Sequence, residues 1–207
     1  MRKEDLRVIK TKQNIRNAFM ELMKEKPIEK ISVNNICDKA LCSRNTFYQH
    51  YTDKYELYEK ICMECIAELD TAFSVENLDI SVNNVMGYGR DIIYAVETKK
   101  EYIKNLLIYD NKEYLKNQLY KVLVQRCIEG SLQLAGNNSV DENEVTLNCH
   151  YLVSGIMGFV MYWLQSTDLS AGEAATLLAK VNSPVAEYNI SLLGNPDKTT
   201  PILHNPD

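Results

Sequence analysis

Apolar residues recur at steps of three and four along most of this chain and nowhere alternate for long, which predicts helices throughout and no sheet. Ile15, Ala18, Phe19, Leu22 and Met23 mark the first helix, with Thr11 as its expected cap and Pro27 as its end. Residues 1 to 10, with Arg2, Lys3, Arg7 and Lys10, read as a basic arm or a solvated start. Ser32 opens the next helix, whose stripe is Val33, Ile36, Cys37 and Ala40. After a break at Leu41-Cys42, Ser43 caps another short helix, so two capped helices flank a tight turn, as a helix-turn-helix requires.

The stretch Ser43 to Lys54 holds more hydrogen-bonding groups than solubility needs: Arg44, Asn45, Thr46, Tyr48, Gln49 and His50 crowd into about two helical turns. Phe47 and Tyr51, four apart, share the anchoring face, while Arg44, Asn45 and Tyr48 fall opposite. Such a helix suits a major groove, where Arg pairs with guanine, Asn with adenine, and Thr offers a methyl to thymine. Asp53 is a second cap, with Glu56 three residues on. Lys54, in the first turn of the helix that follows, would set a cation and free backbone donors where a phosphate could sit. A polar surface helix is the bland alternative for this segment taken alone.

The helix starting at Lys54 continues through Tyr58, Ile61, Cys62, Cys65, Ile66, Leu69, Ala72 and Phe73, about five turns that lead out of the head into a larger body. Cys62 and Cys65 lie on that stripe, with no second CxxC, and are expected to be core thiols. Periodicity lapses from Val75 to Ser81. It resumes at Val85 to Val96, at Tyr102 to Leu107, and from Leu115 to Ile128, a helix with Asn111 as its expected cap and an end near Gly136. Gly136 to Ser139 is the clearest loop. Leu147 to Leu164 is apolar nearly all round and needs partners on opposite faces, with Gly155 and Gly158 allowing close approach; Ser170 to Leu193 follows. From about residue 194 the tail has no period and is expected to be loosely ordered. The fold class is therefore all-α: a three-helix head over residues 1–54, then a larger helical domain over 55–207.

Charge divides the chain in the same place. Residues 1–54 carry 12 Lys and Arg against 7 Asp and Glu, a balance of +5; the remaining 11 against 21 give −10, for −5 overall. A basic head on an acidic body fits a protein that touches phosphate at one end only. No stretch reads as apolar for long enough to cross a membrane, the amino terminus runs into charge instead of a signal-peptide core, and six scattered cysteines read as reduced thiols. The expected setting is cytoplasmic, with no membrane partner. Three distant histidines, no paired carboxylates beside a nucleophile and no glycine-rich phosphate loop leave no catalytic set, and no metal or cofactor is expected; Cys149-His150 is a poor metal site.

Residues 11 to about 60 resemble the amino-terminal domain of the TetR family of bacterial transcriptional regulators. The matching positions are Thr11, Ser32-Val33 with Ile36, Ala40-Leu41-Cys42-Ser43, Thr46-Phe47-Tyr48, His50-Tyr51, and Asp53-Lys54 with Leu57. Leu41 departs from the pattern, which usually has a glycine able to take positive φ; a leucine there implies strain or another turn geometry. By position, the resemblance implies base or groove-edge contacts from Asn34, Arg44, Asn45, Thr46 and Gln49, and phosphate contacts from Ser32, Tyr48, His50 and Lys54. His50 has a plain alternative as a cation at a helix carboxyl end.

The resemblance further implies an effector cavity in the body and a dimer interface built from the last two helices of each subunit. Thirteen tyrosines are many for this length, and a tyrosine suits a pocket for flat or amphipathic molecules. Tyr88, Tyr94, Tyr102, Tyr109, Tyr120, Phe159 and Trp163 are the candidate lining. Arg126, bordering an apolar stripe, would meet an anionic effector or a buried acid. The implied protein is a homodimeric repressor that binds a palindromic double-stranded DNA operator and is released by a small molecule. The alternative is an all-helical small-molecule sensor, or a partner-binding adaptor of the same fold, that no longer binds DNA.

Overall fold

The computed structural model describes residues 6–72, 85–108 and 113–194. Helices α1 (Leu6–Met23), α2 (Val33–Ala40), α3 (Arg44–Tyr48), α4 (Lys54–Ala72), α5 (Val85–Glu97), α6 (Lys100–Ile108), α7 (Tyr114–Ala135), α8 (Glu142–Ser166) and α9 (Ala171–Gly194) follow in order, with one 3-10 turn at Ile28–Lys30 before α2. There is no strand among the described residues. The segment from Val75 to Ser81, the cap at Asn111 and the tail beyond Gly194 lie outside the described residues.

The chain packs as two compact units, one of residues up to 69 with 99–119, the other of 70–98 with 120 onward. Compactness thus divides the chain elsewhere than at residue 54, because α6 and the start of α7 pack with the amino-terminal helices. In the first unit, Ile15, Phe19 and Met23 of α1, Ile36 of α2, Phe47 of α3, and Leu57 and Ile61 of α4 are fully or almost fully buried. Ile28, the first residue of the 3-10 turn, and Ile31, just after it, are buried too. Truncating a core aromatic such as Phe47 to alanine costs about 3–5 kcal/mol in general. α1 starts at Leu6 and not at Thr11. The Thr11 hydroxyl donates to the Arg7 carbonyl at 2.8 Å, the back-bond by which a threonine fits a helix interior instead of capping it.

In the second unit α5 and α8 both pack on α9. Ile92, Ile93 and Val96 of α5, eight residues of α8 from Val145 to Leu164, and Ala174, Ala175 and Leu178 of α9 are buried. Asp141 caps α8 by accepting from the amides of Asn143 and Glu144. Ser170 and Glu173 cap α9 reciprocally: the Glu173 amide donates to the serine oxygen at 3.3 Å and the Ser170 amide donates to the glutamate at 2.9 Å. Gly136, at φ 56°, closes α7 in the left-handed conformation that glycine adopts without a Cβ penalty.

One expectation is corrected by α8. The helix is 25 residues long, and an 18-residue window of it has a mean hydropathy of 1.2, the length and composition of a membrane span. A core helix of a helical body has the same composition, and the buried stripe of α8 together with its packing on α9 is of that kind.

Candidate nucleic-acid interface

The two short helices are positioned by their caps. Ser32 makes a full capping box with Asn35: the Asn35 amide donates to Ser32 Oγ at 3.1 Å, and the Ser32 amide donates to Asn35 Oδ1 at 3.1 Å. Lys26 Nζ donates to the same Asn35 oxygen at 3.2 Å, tying the loop before the 3-10 turn to the start of α2. Asn35 escaped the sequence reading because a capping box normally shows Glu or Gln at that place; Ser-x-x-Asn is its only signal. At the other end, Leu41 takes φ 53°, ψ 46° and is 93% exposed. Leucine therefore adopts the left-handed turn usually given to glycine, at a cost of roughly 1–2 kcal/mol, and no other geometry is needed. The Cys42 amide reaches back to the Cys37 carbonyl at 3.0 Å and closes the turn.

Ser43 caps α3 by accepting from the Thr46 amide at 3.1 Å. α3 is shorter than expected, five residues, but its carbonyls go on accepting from Gln49, His50 and Tyr51. Phe47 is fully buried and Tyr51 nearly so, with ring centroids 5.6 Å apart. Ser32, Asn34, Arg44, Asn45, Tyr48 and Gln49 are exposed, and Thr46, His50 and Lys54 are half-buried. The Arg44 guanidinium lies 5.8 Å from the Tyr48 ring centroid, a stacking contact that restricts where it can point. Thr46 shares its hydroxyl with Ser43 at 2.8 Å, so its methyl is what it has left to offer a base.

The start of α4 differs from expectation. Asp53 Oδ1 accepts from the amides of Tyr55 and Glu56, both at 2.8 Å, and Glu56 accepts from the amide and hydroxyl of Thr52. The backbone donors there are thus taken up by two carboxylates and are not presented to an anion. Glu56 is held well below the ordinary carboxylate range, to about 2, first by Lys60 and then by the two Thr52 donors. Lys54 also turns inward: its ammonium donates to the carbonyls of Glu29 at 3.0 Å and Ile31 at 2.8 Å. A phosphate contact by the same group would rely on its third hydrogen. Lys60 Nζ donates to the His50 carbonyl at 3.4 Å and pairs with Glu56 at 2.7 Å.

The candidate effector residues fall in both units. Tyr109 and the side chain of Tyr88 lie outside the described residues. Tyr102 belongs to the first unit, where burial raises its phenol and a hydrogen bond from Arg16 opposes the shift; Arg16 also pairs with Glu64. In the second unit, the Tyr120 hydroxyl lies 2.7 Å from His150 Nδ1, Tyr94 is half exposed and Phe159 half-buried. Two of the candidates have partners within the protein. Trp163 is 1% exposed and donates to the Leu169 carbonyl at 2.9 Å, which pins the α8–α9 connection. Arg126 forks onto Asp70 with two bonds of 2.9 Å, and this partner is a partly exposed acid, not a buried one. Cys62 and Cys65 are buried core thiols, and burial pushes Cys65 up to about 11. Among the described residues no three His, Cys, Asp or Glu side chains gather as metal ligands.

Two family models match this chain. Residues 15–61 match the bacterial regulatory proteins of the tetR family, and residues 83–181 match a transcriptional regulator C-terminal region. An HTH-type transcriptional regulator of Bacillus subtilis (strain 168), YxbF, itself uncharacterised, is 33% identical over 66 residues, 31% of this chain and 17% of that relative. The chain thus spans well under two thirds of that relative's length. Among solved structures, the dihydroxyacetone kinase operon activator DhaS is similar with a TM-score of 0.60 at 19% identity, over 89% of this chain and 98% of that one. A TetR transcriptional regulator from Streptococcus agalactiae 2603V also has a TM-score of 0.60, at 22% identity, over 93% and 98%. At these identities the two structures show a shared fold.

Proposed function

This chain belongs to the TetR family of bacterial regulatory proteins, and from that premise we propose that it is a homodimeric repressor that binds a palindromic operator through α3 and leaves it when a small molecule binds its body. The observation that carries this reading is the division of α3. Phe47 is buried beneath it, while Arg44, Asn45, Tyr48 and Gln49 stand exposed together on a capped helix. Arg44 and Asn45 choose bases, Thr46 offers its methyl, and Asn34 and Gln49 reach the groove edge. Ser32, Tyr48 and His50 are the candidate phosphate contacts, while Lys54 is spent on the carbonyls of Glu29 and Ile31.

A dimer is supported by α8 and α9. Leu147, Tyr151, Gly155, Gly158 and Tyr162 form one exposed stripe at steps of four, four, three and four, and Leu177, Val181, Pro184 and Tyr188 form another. A Cβ added at Gly155 or Gly158 would meet nothing within 4 Å, so this face is open to another helix. Two such faces related by a two-fold axis would bury each other and set two heads on half-sites about 34–36 Å apart. Release then requires the effector to bind the state that cannot hold DNA more tightly; a thousandfold preference corresponds to about 4 kcal/mol.

Gel shifts on DNA flanking the gene test the reading. Retardation by a palindrome, relieved by a metabolite extract, is the expected result. No retardation of any palindrome would leave the sensor or adaptor reading instead. DhaS is described as an operon activator, so transcription from the bound promoter in vitro decides the sign: reduced transcript upholds repression and increased transcript makes this chain an activator.

A further inference from the structure

Two side-chain amides in the second unit have no part in this reading. The Nδ2 atoms of Asn148 on α8 and Asn182 on α9 are buried and have no hydrogen-bond partner among the described residues. A buried donor of this kind is rare, because its loss of water goes uncompensated. Asn182 continues the buried stripe of Ala175 and Leu178 by steps of three and four. Asn148 stands one turn from Glu144, whose carboxylate accepts from Tyr188 of α9 at 3.0 Å.

The two amides lie at one level of the helix pair. α8 and α9 are joined by a short connection over 167–170 and run antiparallel. From the Glu144–Tyr188 bond, Asn148 is about 6 Å along α8 and Asn182 about 9 Å along α9, in the same direction. An offset of about 3 Å is less than one helical turn. Pro184, between Asn182 and Tyr188, removes the backbone bond that α9 would make to the Lys180 carbonyl, which loosens α9 at this level. Each asparagine is half-buried as a residue, so the amides lie just beneath the surface.

We propose that Asn148 and Asn182 donate together to one carbonyl oxygen of a small uncharged molecule seated between α8 and α9. This rests on the reading that a small molecule binds the body, and it names the chemical class: a ketone, ester or amide. A carbonyl oxygen has two lone pairs, one for each donor. Two neutral amides do not offset the burial of a negative charge, which excludes a carboxylate. Arg126, the candidate cation, is committed to Asp70. Val145 and Leu178, one turn from the two amides, are buried and supply apolar surface for the carbon frame. Val181, Pro184 and Tyr188 of the proposed subunit face ride on the same stretch of α9, so a molecule wedged here shifts that face.

The test is a titration of the isotope-labelled full-length chain with cyclohexanone, read by NMR on the asparagine side-chain amides. Asn148→Leu and Asn182→Leu each remove one signal pair and so assign it. Saturable shifts of both pairs with cyclohexanone, and none with cyclohexanecarboxylate, are the expected result. Each leucine variant should weaken binding on the order of tenfold. Each should also raise the melting temperature of the ligand-free chain by about 2–4 °C, since an unpaired buried donor gives way to an apolar group of the same shape. Amide signals that the ketone leaves unmoved, or that answer only to the carboxylate, would overturn the proposal. So would a fall in melting temperature in both variants, which would mean that the amides are already paired inside the protein. If one variant fails to fold, the other still assigns and tests its own amide. Gel shifts keep the two readings apart. An extract that relieves retardation equally in the parent and both variants overturns this site alone, whereas titrating amides in a chain that retards no palindrome overturn the regulator alone.

Discussion

Lys54 Nζ donates to the carbonyl oxygen of Ile31 at 2.8 Å across 23 residues of sequence, and with its bond to Glu29 it fastens the first turn of α4 to the 3-10 turn ahead of α2. The ammonium is thereby a strut inside the head. Lys54→Met, which keeps the apolar stem, should lower thermal stability by about 1–3 kcal/mol, the range for losing charge-assisted hydrogen bonds that leave carbonyls unpaired. Its salt dependence of operator binding should match the parent. A slope smaller by about one would assign Lys54 to phosphate instead.

Leu41 holds the turn between α2 and α3 at φ 53° with its side chain in solvent. Leu41→Gly removes a conformational cost of roughly 1–2 kcal/mol and adds glycine's unfolded-state entropy of about 0.5–1 kcal/mol. A net gain of about 0.5–1 kcal/mol in chemical unfolding is expected, with operator affinity preserved. A loss of stability would mean that the exposed leucine makes contacts its solvent exposure does not suggest.

Arg44 stands at the first position of α3 and is braced by Tyr48. In binding to a panel of single-base operator variants, Arg44→Ala should cost about 1–3 kcal/mol and relax preference at one base pair only. An equal loss at every site would make Arg44 a phosphate ligand.

Glu56 titrates usefully because its folded-state value of about 2 lies below the ordinary 4.5. The unfolded chain takes up the proton first as pH drops, so the stability this cap contributes is complete above pH 4.5 and is lost as pH falls toward 2. Unfolding midpoints of the parent and Glu56→Gln should therefore converge across that window. Parallel curves would show that the Thr52 and Lys60 bonds do not depend on the charge.

Val181 is 66% exposed in the middle of the α9 stripe. Val181→Glu should leave the helix content unchanged but shift sedimentation toward monomer, since a charge facing its own copy across a two-fold axis is repelled and desolvated. Operator affinity should fall with it. An unchanged dimer would place the subunit interface elsewhere.

Sequence alone determined which stretches are helical, where Ser32, Ser43 and Asp53 cap them, that Phe47 and Tyr51 anchor α3, and that Arg44 and Asn45 face away. All of these rest on neighbours three or four residues apart, which a helix brings together wherever it forms. Tertiary structure decided what the long polar and amphipathic side chains do. Lys54 meets carbonyls 23 and 25 residues earlier, Arg126 meets Asp70 across 56 residues, and Ser131 meets Cys149 on another helix. Trp163 turned inward to a carbonyl beyond its own helix, and Thr11 fell inside α1 because the helix began earlier than its apolar stripe. None of these partners leaves a periodic trace in the chain, because a flexible side chain with several hydrogen-bonding atoms takes whichever donor or acceptor the packed backbone brings within about 3 Å.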